Sequence, residues 1–277
     1  MARPKKIDIP LPSPIEQRNI VSYLDSKTSK IDAYVAEKER ELQLLNELKE
    51  SEIANVVIRG LNPHVKMKDS GISWIGMIPE HWELRRLSQV AFEHYISNKN
   101  IHHQNLLSLS YGRIIRKDIN TTEGLLPASF DTYQIVENGN IVLRLTDLQN
   151  DQKSLRVGLA KEEGIVTSAY VCLGAYDSIL PAYLYYILHS FDIKKLFYSM
   201  GGGLRQGLNW QGLKKLDLPY PPISEQRTIV SYIDSKCAKI NSLISDIESE
   251  IDYLKEYKQR LIADCVTGQI NVQNINN

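Results

Sequence analysis

No run of apolar residues in this 277-residue chain approaches the roughly 20 that a helical membrane span requires. The start, Met-Ala-Arg-Pro-Lys-Lys, continues into prolines and charges where a signal peptide would carry its apolar core, so a soluble, cytoplasmic chain is the expectation. Cysteine is scarce. Cys172, Cys237 and Cys265 lie far apart, never as C-x-x-C, and the six histidines form no H-x3-H pair. That spacing suits neither a disulfide framework nor a zinc knuckle, and it predicts buried free thiols and no structural metal. Neither sign of charge is in excess, with 33 Lys+Arg against 33 Asp+Glu. At 43% hydrophobic and 24% charged residues, wholesale disorder is excluded and one or two cores can be built.

What the chain does have is a repeat. Residues 7 to 32, IDIPLPSPIEQRNIVSYLDSKTSKID, return at 216 to 241 as LDLPYPPISEQRTIVSYIDSKCAKIN, with 15 identities in 26 at a constant offset of 209. Each copy opens on a proline-rich, apolar lead-in that suits a short strand and cannot be helix interior. A long stretch free of proline and glycine follows. In the second copy Ile233, Ile240, Ile244, Ile247, Ile251, Leu254, Leu261 and Cys265 fall at alternating threes and fours, a narrow apolar seam along one helix. The first copy carries a rougher seam through Leu24, Ile31, Val35, Leu42, Leu45, Leu48 and Ile53. Helices of about 40 residues would be about 60 Å long, more than a small domain spans, so they are expected to project and to pair side by side, antiparallel, as a coiled-coil-like stalk with a globular body at one end. The alternative, two core helices of one ordinary domain, has their length and the regular seam against it.

Between the copies the texture changes. Short apolar runs at Leu106 to Leu109, Ile141 to Leu145 and Gly164 to Leu173 are broken by Gly, Asn, Asp and Pro and predict strands of a mixed or antiparallel sheet. Pro181 to Tyr198 predicts one helix, stopped by Gly201 to Gly203. The fold class is therefore α+β: a mixed α/β domain at 62–215, flanked by a lead-in and long helix at 1–61 and again at 216–277. Formal charges in the three segments are 10 − 10 = 0, 17 − 14 = +3 and 6 − 9 = −3.

Three clusters in the middle segment have the composition of a nucleic-acid surface. His94 to Lys117 contains no acid but carries Lys99, His102, His103, Arg113, Arg116 and Lys117, with Tyr95 and Tyr111 among them. Arg144, Thr146, Asp147, Gln149, Asn150, Lys153 and Arg156 combine cations with amides able to pair with base edges. Gly203 to Trp210 sets Arg205-Gln206 between glycines, with Asn209 following. The candidate DNA-contacting residues are Arg113, Arg116, Lys117, Arg144, Lys153, Arg156, Arg205, Gln206 and Asn209. A solvated surface is the competing reading for the arginines, and for Arg144 a buried ion pair with Asp147 or Asp151.

Catalytic motifs do not survive inspection. Asp217-Leu218-Pro219-Tyr220 is one residue from the D-P-P-Y of adenine methyltransferases, yet its repeat partner Asp8-Ile9-Pro10-Leu11 lacks the aromatic, and no glycine-rich loop for S-adenosylmethionine follows a first strand. Glu47-Leu48-Lys49 lies mid-helix, without the aspartate a metal-dependent nuclease would pair with it. No G-x-S-x-G or P-loop occurs.

The segment P-P-x-x-E-Q-R-x-I-V-x-x-[LI]-D at Pro221 to Asp234, matched less perfectly at Pro12 to Asp25, resembles the conserved regions of the specificity subunits of type I restriction-modification enzymes. So do Val266-Thr267-Gly268-Gln269-Ile270 and the stretch from Lys68 to Glu83, KDSGISWIGMIPEHWE. The resemblance covers essentially the whole chain, as a half-length form with a single target recognition domain, since only six residues precede Ile7. It implies a non-catalytic subunit that reads half of a bipartite duplex target, helices that fix the spacing between halves and dock adenine methyltransferase subunits, and motor-endonuclease subunits that join them. No cofactor is implied in this chain; S-adenosylmethionine would sit in the methyltransferase partner. Homodimerisation or pairing with another half-subunit could supply the second half-site reader. The pairing residues would be Leu24, Ile31, Val35, Leu42 and Leu45 on one helix and Ile240, Ile244, Ile247, Ile251, Leu254 and Leu261 on the other. A regulatory or recombination-donor fragment that only occupies the methyltransferase is the competing function.

Overall fold

Both copies of the repeat open a long helix at the equivalent residue. In the computed structural model α1 spans Pro14–Arg59 and the last helix, α6, spans Ile223–Val266, and the starts differ by 223 − 14 = 209, the offset of the repeat. Residues 11–99, 101, 103–119, 129–148, 155–200 and 207–272 are described; the lead-in at 7–10 lies outside them. A glycine follows each helix, though not at the repeat offset, since 268 − 60 = 208. Gly60 (φ 73°) and Gly268 (φ 77°) each take the left-handed conformation that lets a chain leave a helix, which side chains with a Cβ adopt only at a cost.

The chain divides into two compact units, residues 1–49 with 237–277 and residues 50–236. In the first, the helices run antiparallel: Asp32 meets Lys258 at 2.6 Å, Lys38 meets Glu250 at 3.2 Å and Lys49 meets Asn241 at 3.1 Å, one number rising as the other falls. Exposed links of this kind add little, because solvent and salt screen them. The seam does more. Val35, Ile247 and Ile251 are buried together, with Ile31, Leu42, Leu45 and Leu254 packed on them, and Leu261, Cys265 and Val272 form a second cluster with Ile20, Tyr23, Leu24 and Ile270. Ile240 is buried and Ile244 half-buried. Leu48, read into the seam from its spacing, stands 49% exposed instead.

The second unit extends past 62–215 at both ends. Ile53, Val56 and Val57 at the end of α1, and Gln226, Ile229 and Ile233 at the start of α6, are buried, and Tyr183 donates from its hydroxyl to the carbonyl of Val57 at 3.0 Å. In chain order its elements are β1 (Met67–Asp69), β2 (Met77–Pro79), β3 (Glu83–Arg86), α2 (Leu87–Val90), β4 (Ala91–Glu93), β5 (Ile96–Ser97), β6 (Leu107–Ser110), β7 (Arg113–Arg116), β8 (Gln134–Val136), β9 (Ile141–Leu143), β10 (Val157–Leu159), β11 (Gly164–Val166) and β12 (Val171–Ala175), followed by α3 (Pro181–Ile193), α4 (Leu196–Met200), α5 (Trp210–Leu213) and β13 (Asp217–Tyr220). The sheets are ordered β10-β9-β12-β4, β11-β8-β5, β13-β3, β6-β7 and β1-β2. Every named pairing is antiparallel, with one isolated parallel bridge, Leu106 to Ile165.

Two sequence expectations resolve differently. Gly164 to Leu173 is two strands, β11 and β12, with a turn between them in which Tyr170 N–H donates to Thr167 at 3.1 Å. Pro181 to Tyr198 is broken after Ile193, where Lys195 takes φ 60°; the break buries Phe197 and brings Tyr198 to Arg156. Cys172 and Cys265 are buried free thiols, and burial pushes the Cys172 thiol up to about 12. No helix among the described residues is long and apolar enough to cross a membrane.

Candidate nucleic-acid interface

The hairpin β6-β7 turns on Tyr111-Gly112, both at positive φ (46° and 76°), the two-residue turn whose twist suits a hairpin. Gly112 fits this geometry; Tyr111 does not fit without strain, and its side chain is 75% exposed at the tip. The register Ser110 to Arg113, Leu109 to Ile114, Ser108 to Ile115 and Leu107 to Arg116 puts Arg113 on the outer face with two serines. The inner face packs on β10. A Cβ at Gly158 would lie 2.6 Å from Leu109 and 2.9 Å from Ile114, so only glycine admits the hairpin this closely.

That packing sets which cations share an end of the sheet. A Cβ built on Gly112 would lie 3.1 Å from the Leu155 Cβ and 3.5 Å from the Val157 carbonyl, so the tip sits where β9 ends at Leu143 and β10 begins at Val157. Leu208 N–H donates to Leu145 at 2.9 Å, which brings the Gly207 to Asn209 segment to the same end. Parts of all three sequence clusters therefore converge: Tyr111 and Arg113, Arg144, and Asn209. Arg113 is exposed and Arg144 half-buried. Asn209 caps α5, accepting from Gly212 N–H at 3.2 Å. Lys153, Arg205 and Gln206 lie outside the described residues.

Arg116 and Lys117 are at the other end of the hairpin. Arg116 is tied to Glu162, its Nε donating to both carboxylate oxygens at 2.8 Å, and Asn105 adds a bond to the same carboxylate at 3.2 Å. Hydrogen bonding to Arg116 holds the Glu162 carboxyl below its usual range. Lys117 is exposed, with its backbone N–H on the Leu106 carbonyl at 2.8 Å.

Arg156 corrects the sequence expectation. Its side chain is fully buried and faces the protein's own backbone: Nη1 donates to the carbonyls of Arg144 (3.1 Å) and Thr146 (2.8 Å), Nη2 to that of Asp147 (3.2 Å) and Nε to the Tyr198 hydroxyl (3.0 Å). A guanidinium has five donors in a rigid fork, and here at least three of them hold a loop in place, Asp147 at φ 58° included. Arg156 shapes the candidate surface from beneath and cannot contact a base. The signal missed was the acid and phenol that gather around it, Asp192 and Tyr198, some 40 residues away in the chain.

Asp217-Leu218-Pro219-Tyr220 is no catalytic loop. It is the strand β13, paired along its length with β3, and Arg85 stacks 3.9 Å over the Tyr220 ring while the Tyr220 hydroxyl donates to Ser178 at 2.6 Å.

Residues 79–253 match the model of the type I restriction modification DNA specificity domain. A putative type I restriction enzyme MjaX specificity subunit from Methanocaldococcus jannaschii is 24% identical over 97% of this chain and 60% of its own length. Of solved structures, a chain from work on complex assembly and conformational transition of the type I R-M system aligns with a TM-score of 0.66 at 18% identity, over 95% of this chain and 62% of its own. The HsdS subunit from Thermoanaerobacter tengcongensis aligns at 0.50 and 17%, over 95% and 60%. These likenesses in structure are likenesses of fold, and the chain spans about 60% of the length of the proteins it matches. With the family model covering well over half of its residues, this chain belongs to the family carrying the type I restriction modification DNA specificity domain.

Proposed function

We propose that the protein is a sequence-specific reader of double-stranded DNA, the specificity subunit of a type I restriction-modification system, which recognises one half of a bipartite target through its globular unit and docks methyltransferase and motor-endonuclease subunits through its paired helices. It would carry no chemistry of its own; methyl transfer from S-adenosylmethionine would belong to the partner. The observation that carries this reading is the convergence of Tyr111, Arg113, Arg144 and Asn209 at the end of the β9-β10 pair against which the β6-β7 hairpin packs. Phosphate contacts from exposed cations would position the duplex, and polar side chains from the loops would read base edges.

The test is selection of bound duplexes from a randomised library by the full chain, followed by salt titration of the selected site. One short enriched motif is expected, with affinity falling steeply in salt; binding without enrichment would sink the reading. Arg113→Ala should lower the slope of log K against log salt by about one, the contribution of a single phosphate contact. Arg116→Ala should change it less, because Glu162 already neutralises that guanidinium.

A further inference from the structure

Four consecutive carbonyls between β9 and β10 accept bonds from the protein's own interior. Those of Arg144, Thr146 and Asp147 accept from the buried Arg156 guanidinium at 3.1, 2.8 and 3.2 Å, and that of Leu145 accepts from Leu208 N–H at 2.9 Å. Leu145 and Leu148 are buried, which leaves Thr146 and Asp147 as exposed side chains between two anchors. The clamp is itself fixed. The Tyr198 hydroxyl on α4 accepts from Arg156 Nε at 3.0 Å, and the Asp192 carboxylate on α3 accepts from the Arg156 backbone N–H. Burying a guanidinium is costly, and ordinary turns close with backbone bonds alone. Here the clamp holds Asp147 at φ 58°, a conformation rare for residues with a Cβ, and strain of this kind gathers where a side chain has to be aimed.

We infer that Asp147 determines specificity by accepting a hydrogen bond from the amino group of a base, cytosine N4 or adenine N6, and that Arg156 is the positioning residue that aims it. Both assignments rest on the proposed reading of duplex DNA. The chemistry follows from the charge. A carboxylate at the end of the β9-β10 pair that carries Arg113 and Arg144 repels every phosphate alike, so it adds nothing to general affinity for a duplex. It can only accept, and the donors that base edges present in the major groove are the amino groups of cytosine and adenine. Such a contact separates one base from another where the arginines around it hold any duplex.

The experiment measures the affinity of the full chain and its variants for the duplex that the wild type selects, for each single-base-pair change of it and for random duplex, with thermal melts to verify the fold. Asp147→Gly keeps the positive φ and removes the carboxylate. It should hold random duplex at least as tightly as the wild type, yet lose about tenfold on the selected duplex, with discrimination relaxed at one base pair. An even loss over all base pairs would overturn the assignment of Asp147. Taking the amino group from that base pair, with purine for adenine or 2-pyrimidinone for cytosine, should cost the wild type about tenfold and cost Asp147→Gly nothing more; a wild type indifferent to it would overturn the contact. Arg156→Lys keeps the charge and loses the planar fork, so it should relax the same base pair. With Asp147→Gly already in place it should add little, whereas additive losses would overturn its positioning role. Should Arg156→Lys not fold, Tyr198→Phe, which removes only the hydroxyl that holds Nε, is measured in its place, and unchanged discrimination there would overturn the clamp. A wild type that selects no motif removes the functional reading; a motif kept unchanged by every variant overturns this inference alone.

Discussion

At the start of α6, Glu225 and Gln226 are built into the globular unit; at the start of α1 the same two residues, as Glu16 and Gln17, are not. One side-chain bond is common to both. Gln17 and Gln226 each donate from Nε2 to the proline carbonyl five residues back, Pro12 and Pro221, at 2.9 Å. Beyond that the copies part. Gln226 is fully buried and its Oε1 also accepts from Leu180 N–H at 2.9 Å, whereas Gln17 is exposed. Glu225 meets His81 at 2.6 Å and the Trp82 indole N–H at 2.9 Å. Glu16 turns back on its own helix, accepting from Ser13 N–H at 2.9 Å and the Ser13 hydroxyl at 2.8 Å. The residue before the helix makes the difference. Ser13 completes a capping box with Glu16; Pro222, at the same place in the other copy, has neither an N–H nor a side-chain oxygen and leaves Glu225 available to a distant indole. Identical sequence thus dictates the local bond, and a single neighbour decides whether the rest acts locally or across the fold.

The contrast breaks most readily at Trp82. Its side chain is fully buried and its ring lies where a Cβ on Gly60 would come within 3.1 Å. Trp82→Ala should destabilise the unit at 50–236 by about 3–5 kcal/mol, as urea unfolding followed by near-ultraviolet circular dichroism would measure. A loss below about 1 kcal/mol would mean that the second copy is not anchored through this indole. Next in size is the glutamine pair. Gln226→Ala leaves the Leu180 N–H and the Pro221 carbonyl without that partner in a buried place and should cost about 2–3 kcal/mol, while Gln17→Ala should stay within about 0.5 kcal/mol. Similar costs at both sites would end the distinction between the copies.

How much of this was legible beforehand follows the range of the interactions. The helices could be read because their signal is local and long: a 26-residue repeat at an offset of 209 marked where both begin to within a residue or so, and apolar residues at threes and fours marked most of the seam. Leu48 fits the spacing of the seam as well as Leu45 does, but only Leu45 packs on it, and spacing alone does not separate two leucines three residues apart. In the globular unit the strands are mostly three or four residues long, too short for an alternating pattern to declare itself, and the break at Lys195 has no glycine to announce it. The interface residues were the hardest. Arg113, Arg116 and Arg156 look alike in composition, yet one is exposed, one is neutralised by a glutamate 46 residues away and one is buried against backbone carbonyls. Only the tertiary fold tells them apart.

A loss smaller than those at Trp82 and Gln226 tests the cap itself. Ser13→Ala removes the hydroxyl from the capping box and should cost about 1 kcal/mol, appearing as faster amide exchange in the first turn of α1. Pro222→Ser is the informative converse. It offers Glu225 a hydroxyl and an N–H three residues away, in competition with His81 and Trp82, so part of the population should release the indole. The Trp82 Nε1–H resonance, assigned by its loss in Trp82→Phe, should then move toward the position of a solvated indole while the first turn of α6 gains protection from exchange. An unmoved resonance would mean that the buried indole, and not the proline, holds Glu225 where it is. The two copies would then differ because of what surrounds them rather than because of the residue that precedes each helix.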